Sequence, residues 1–174
     1  MFGEVILVDS ADKPLGRCEK LAAHQTGELH RAFSVFLFDG QGRWLLQRRH
    51  PDKYHSGGLW TNTCCSHPQP GQETMEAARI RLGQEMGIET PITPLFQFLY
   101  HARFDNGLIE HELDHVFVGR FEGIPEPDPA EVCEWRWIQG VDLMEEIAAH
   151  PEHFTVWFRE AAGRVLKHVE SAAA

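Results

Sequence analysis

Two strand-forming runs, Phe96–Arg103 and Leu108–Val118, flank the turn Asp105-Asn106-Gly107, and this arrangement constrains the fold more than any other feature. Asn-Gly suits the positive-φ positions of a tight turn, so the pattern predicts an antiparallel hairpin. A second turn, Asp39-Gly40-Gln41-Gly42, leads from the apolar run Ala32–Phe38 into Trp44–Arg49 and predicts another hairpin. Glu4–Val8 and Glu134–Ile138 also read as strands, with a turn through Asp9–Gly16. Tyr54–Gly71 is rich in Gly, Ser, Pro, Asn and Thr and is expected to be loop, with extended backbone around Trp60–Thr63. Pro125–Pro129 makes another irregular connection.

Helical spacing appears in three places. Thr74 is expected to cap a helix ending near Met86, with Met75, Ala78, Leu82 and Met86 on one face and Gly87 as its stop. Asp142–Ala149 and Thr155–Val169 are the others, the second striped by Val156, Phe158, Ala162, Val165 and Val169. Strands surrounding one helix, with helices at the end, predict an α/β chain of the α+β kind, a mixed sheet sandwiched between helices. No linker or repeat divides the sequence, so residues 1–174 are expected to form a single domain.

The net charge of −10 argues against a general binder of nucleic acid or anionic membrane, since phosphate neutralisation needs a basic face. It leaves room for a small anion held locally: Arg48, Arg49, His50 and Lys53 lie within six positions. Met1-Phe2-Gly3-Glu4 lacks the basic flank and apolar centre of a secretory signal, and a cytoplasmic location is the expectation. Cys18, Cys64, Cys65 and Cys133 are accordingly expected as free thiols.

Three polar constellations could carry chemistry. In Leu59–Pro68, Cys65 and His67 share one side of an extended backbone, and a thiol near a metal or imidazolium loses its proton more easily. The alternative is that Cys65 is a small buried hydrophobe. Glu110 and Glu112 share one face of their strand, where two carboxylates repel unless a cation or proton lies between them. The alternative there is an edge strand with a solvated acidic face. His24 and His30 lie in what reads as loop, where histidines are usually at the surface. If the segments converge, His24, His30, His67, Glu110 and Glu112 form a site for one divalent ion: Mn²⁺, Mg²⁺ or Zn²⁺.

Together these segments resemble the type 1 isopentenyl diphosphate isomerases of the Nudix superfamily. The resemblance is carried by Glu19-Lys20, Ala22-Ala23-His24, Leu29-His30, Ala32-Phe33, Arg48-Arg49, Trp60–Pro68, Glu85-Met86-Gly87, Tyr100, Glu110-His111-Glu112 and Trp157. It implies a Nudix-like fold and the interconversion of isopentenyl and dimethylallyl diphosphate by protonation and deprotonation. It implies that His24, His30, His67, Glu110 and Glu112 bind a metal, and that Cys65 and Glu112 are the acid–base pair, with Tyr100 hydrogen-bonded near Glu112. Lys20, Arg49, Lys53 and Arg81 are implied to bind the diphosphate, Glu85 to help hold a second ion (Mg²⁺), and Trp157 to line the hydrocarbon. The partner expected is a small isoprenoid diphosphate, with the chain a monomer or homodimer.

A Nudix hydrolase is the nearest alternative. Its Gx5Ex7REUxEExGU pattern, anchored at Glu85, Gly87 and Ile88, puts Ser66, Gln72, Ile80-Arg81 and Gln84 at the remaining signature positions. Hydrolysis needs several carboxylates to gather Mg²⁺ and activate water, and only Glu85 survives of them. A non-catalytic binder needs no acid–base pair such as Cys65 and Glu112. A flavin-dependent isomerase lacks its glycine-rich fingerprint here.

Overall fold

A computed structural model describes residues 3–173. Met1 and Phe2, part of the stretch inspected for a targeting signal, lie outside the described residues, as does Ala174. Among the described residues the strands are β1 (Glu4–Val8), β2 (Pro14–Glu19), β3 (His30–Phe38), β4 (Trp44–Arg49), β5 (Trp60–Thr61), β6 (Cys64–Ser66), β7 (Ile92–Arg103), β8 (Ile109–Arg120) and β9 (Val132–Ile138). The α-helices are α1 (Lys20–Thr26), α2 (Thr74–Met86), α3 (Gly140–Ala149) and α4 (Val156–Ala173). None of these helices is long and apolar enough to cross a membrane.

The expected β7–β8 hairpin is present, running antiparallel from Arg103↔Ile109 through Tyr100↔Glu112 to Ile92↔Gly119. The other hairpin is corrected. β3 and β4 meet only at Phe38↔Trp44 and then diverge, β4 pairing with β9 and β3 pairing in parallel with β8 from His30↔Glu112 to Phe38↔Arg120. β6 adds to β3 through Ser34↔Cys65, and β1 touches it at Leu7↔His30. β3 is thus the hub of one mixed sheet.

That position explains why β3 is apolar on both faces. Phe33, Val35 and Leu37 pack with Leu45 against Ala77, Ala78, Leu82 and Met86 of α2. Phe36 and Phe38 pack with Trp44 and Leu46 against Phe158, Ala161, Ala162 and Val165 of α4. The sheet is sandwiched between helices, as expected.

Helix α2 is capped one residue earlier than the sequence suggested. Glu73 is the cap, its carboxylate accepting from Glu76 N at 2.8 Å, and Thr74 is already helical. Its buried face is Thr74, Ala77, Ala78, Leu82, Glu85 and Met86, while Met75 is exposed. Gly87 ends it at φ 64°, as expected of a left-handed cap. On α4 the buried residues include Trp157, Phe158, Ala161, Ala162 and Val165, whereas Val156 and Val169 are only half-buried. Strand β2 and helix α1 were not expected; the helix is just seven residues, too short for a periodic signal.

Candidate active site

Strand β8 has partners on both sides, β3 and β7, so it is not an edge. Glu110, Glu112 and Asp114 alternate along one of its faces and are 3%, 5% and 2% exposed. Three buried carboxylates on one face need compensating charge. The solvated-edge alternative is therefore overturned.

Part of that compensation comes from the histidines. His24 and His30 are not surface loop residues: one lies in α1, the other starts β3, and both are fully buried. Burial follows because α1 lies against β8 and because β3 is the hub strand. In His24, Nδ1–H donates to Lys20 O at 2.7 Å; in His30, to Glu28 O at 2.8 Å. Each bond fixes the tautomer, leaving a bare Nε2 that finds no hydrogen-bond partner. These nitrogens lie 3.9 and 3.4 Å from Glu112 Oε1, and His67 Nε2 lies 2.8 Å from it. The four ligand atoms of His24, His30, His67 and Glu112 are all within 4.8 Å of one another. With bonds of ~2.1 Å, ligand atoms around one ion lie about 3.0–4.2 Å apart, so this donor set fits a divalent ion.

Protonation agrees in part with an ion site. Burial pushes His24 down, and pushes His67 down to about 3, so both rings favour the neutral form. Burial also opposes charge on Glu112, but His67 and His30 outweigh it and hold its carboxyl well below the usual range. His30 differs. Burial lowers its pKa, yet the adjacent Glu112 more than offsets this and leaves it raised.

The same pocket is lined by Cys65, Tyr100, Trp157, Lys20, Arg49, Lys53, Arg81 and Glu85, as well as His67, Glu110 and Glu112. Cys65 enters from β6 and Glu112 from β8, with β3 between them. Burial raises the Cys65 thiol to about 12 against the pull of Arg49, whose Nη1 lies 3.8 Å from the sulfur. Cys64 points the other way, into the core beneath α2, and all four cysteines are free. Tyr100 needs a correction: its backbone lies opposite Glu112, but its hydroxyl donates to Glu110.

The basic end is more paired than its sequence suggests. The Nε of Arg81 donates to Glu85 Oε1 at 2.8 Å, and its Nη2 lies 3.0 Å from Glu131 Oε1. Lys53 pairs with the other oxygen of Glu131. Arg48 points away, toward Glu134 at 3.3 Å. Glu85 also accepts from Gln47 Nε2 at 3.0 Å and belongs to this end, not to the histidine cluster. Glu131, Asp114 and His55 were missed: the first lies in an irregular loop, the second one strand period beyond Glu112, and the third among eleven histidines with no motif to mark it.

Residues 28–158 match the family model described as the NUDIX domain. The isopentenyl-diphosphate Delta-isomerase of Burkholderia multivorans is 54% identical over 171 residues, 97% of each chain. A second enzyme of that name from Aromatoleum aromaticum is 48% identical, covering 95% of this chain and 88% of its own. Among solved structures, a Deinococcus radiodurans protein superposes with a TM-score of 0.78 at 21% identity, covering 92% of this chain and 98% of its own. A MutT NUDIX hydrolase from Burkholderia pseudomallei gives 0.64 at 20%, covering 79% and 98%. At that identity the two structures establish the fold alone; the curated relatives and the matched domain together place this chain in the isopentenyl-diphosphate Delta-isomerase family, on the Nudix fold.

Proposed function

We propose that the chain interconverts isopentenyl and dimethylallyl diphosphate in isoprenoid biosynthesis, with Cys65 and Glu112 as its acid–base pair. The observation that carries this reading is their placement: two proton-exchanging groups reach one pocket from strands on either side of β3, with four basic residues lining it. Lys20, Arg49, Lys53 and Arg81 bind the diphosphate, which displaces part of the pairing of Lys53 and Arg81 with Glu131. Glu85, among them, offers a carboxylate for Mg²⁺ accompanying the diphosphate.

The five-carbon chain then lies between Cys65 and Glu112. Moving its double bond requires a proton added to the terminal alkene carbon and another removed across the allyl unit. The route implied is a tertiary carbocation, which needs a strong acid, an opposed base and exclusion of water. The Trp157 ring offers its face to that charge. Glu112 protonates and Cys65 deprotonates in the isopentenyl-to-dimethylallyl direction; the roles exchange in reverse. Each forward turnover leaves the proton on Cys65. The proton must return to Glu112 before the next cycle.

His24, His30, His67, Glu110 and Glu112 hold the second divalent ion, Mn²⁺ or another such as Mg²⁺ or Zn²⁺. When bound, that ion supplies fixed positive charge that tunes the Glu112 carboxyl. A cytoplasmic, monomeric or homodimeric enzyme folded as one domain completes the reading, and the acidic charge supports the absence of a nucleic-acid or anionic-membrane partner.

The test is proton NMR of isopentenyl diphosphate incubated with the purified protein and Mg²⁺, beside an EDTA-stripped control. Dimethylallyl methyl signals, lost on stripping, are expected. Phosphate release from an unrearranged substrate would replace the reading with a hydrolase. No change with metal restored would leave a binder.

A further inference from the structure

One buried histidine of the pocket is not among the residues that carry the family resemblance. His55, 7% exposed, follows β4 in the connection to β5. Its Nε2 lies 2.9 Å from Glu110 Oε1, and its Nδ1 3.3 Å from Ser56 Oγ. Its ring stacks on Phe104 at 5.0 Å and 19°, and meets Trp157 edge-on at 6.0 Å and 83°. These contacts fix the ring's place and angle. The other oxygen of Glu110 accepts the Tyr100 hydroxyl.

His55 also belongs to a second possible ligand group, with His24 and Glu110. Both groups require His24. Its Nδ1 is committed to Lys20 O, and the one lone pair on Nε2 can serve only one ion. The group with His30, His67 and Glu112 offers more donors and takes that ion. Glu110 Oε1 still lies 4.0 Å from His24 Nε2, within the span of two ligands on a shared ion. His55 is then left as a hydrogen-bond donor to a metal-facing carboxylate.

We propose that His55 is a positioning residue: its Nε2–H pins Glu110 Oε1 in the orientation that faces His24 and the ion. The inference rests on the divalent-ion site proposed above and adds a residue to it. A carboxylate held at both oxygens loses little rotational freedom when the ion arrives, whereas one released from His55 must be ordered first. Outer partners of this kind are worth on the order of 10- to 100-fold in metal affinity.

The test uses the full-length protein, wild type and three variants: His55→Phe, which keeps the stacked ring and loses the donor; His55→Ala, which loses both; and His55→Gln, which keeps an N–H donor. Mn²⁺ affinity is measured by electron paramagnetic resonance titration, the ligand field by the absorption of Co²⁺-loaded protein, and folding by thermal melts. We expect His55→Phe and His55→Ala to bind Mn²⁺ on the order of 10- to 100-fold more weakly. His55→Gln should recover most of the loss, and the Co²⁺ bands should keep their wild-type position and intensity throughout. Wild-type Mn²⁺ affinity in His55→Phe overturns the inference, whatever the melts do. Co²⁺ bands altered in all three variants overturn it too, because they make His55 a direct ligand. Absence of Mn²⁺ binding by the wild type would remove the ion site itself, and the inference with it.

Discussion

Trp157 and Asn62, 95 residues apart in sequence, are joined by a 3.2 Å hydrogen bond from the indole Nε1 to the amide Oδ1. Asn62 is fully buried, and its Nδ2 donates to Val35 O at 3.1 Å and Cys64 O at 2.7 Å. Thr61 donates to the same Oδ1 at 2.8 Å and meets Thr155 at 2.8 Å. This amide ties the segment carrying Cys65 to the hub strand and to the start of α4. Replacing Asn62 with Leu strands the indole N–H and two carbonyls. Since an unsatisfied buried group costs about 1–3 kcal/mol, Asn62→Leu should lose about 3 kcal/mol or more in a urea unfolding titration. A loss within ~0.5 kcal/mol would contradict this account.

The ring of Trp157 can be separated from its N–H. Trp157→Phe keeps an aromatic face and gives up the bond to Asn62, whereas Trp157→Ala removes both. If the face stabilises developing cationic charge, at about 0.5–2 kcal/mol, Trp157→Ala should lower kcat by ~2- to 30-fold more than Trp157→Phe. KM should move little between the two. Steady-state kinetics decides it: equal kcat values would mean that the ring only fills space.

Cys65→Ala and Glu112→Gln should each abolish measurable turnover in the NMR assay, since general acid–base placement is worth about 10²–10⁴-fold and both proton transfers are needed. Cys65→Ala, which removes one half-buried sulfur, should melt within a few degrees of the wild type. Normal activity in either variant would remove the mechanism.

Glu131 makes a prediction of the opposite sign. It neutralises Lys53 and Arg81, two groups proposed to bind the diphosphate. Ion pairs at this partial exposure are worth roughly 0.2–1 kcal/mol, so Glu131→Gln should tighten inhibition by inorganic diphosphate by about 2- to 5-fold. Weaker inhibition would mean that Glu131 instead holds the two cations in their binding positions.

Local chemistry was legible in the sequence wherever it alone decides structure. Asp105-Asn106-Gly107 set the β7–β8 hairpin, and Gly87 ended α2. What escaped depends on partners far along the chain. Parallel pairing of β3 with β8 brings His30 beside Glu112, and no periodicity announces a partner some eighty residues away. That pairing turns His24 and His30 from apparent surface residues into buried ones. His55 was invisible for the same reason, because its value lies in meeting Glu110. The motif residues Cys65, His67, Glu110 and Glu112 line one pocket, but the motif could not direct the Tyr100 hydroxyl, which donates to Glu110.

Asp39 offers a test of the fold that leaves the pocket untouched. Its Oδ1 accepts from the backbone N–H of Gln41 and of Arg43, each at 2.9 Å, and its Oδ2 accepts from Arg43 Nε at 2.6 Å. Burial works against the charge, but these bonds outweigh it and hold the carboxyl below its ordinary value of 3.8. A depressed folded pKa contributes stability that is complete above the unfolded value and is lost as pH falls through the folded one. Asp39→Asn keeps the shape and removes the charge, so at pH 7 it should destabilise by about 1–2 kcal/mol. Below pH ~4 the wild type begins to lose the same contribution, and the gap between the two melting curves should close. A gap that stays constant from pH 7 to pH 3 would mean that the turn is held by its backbone alone.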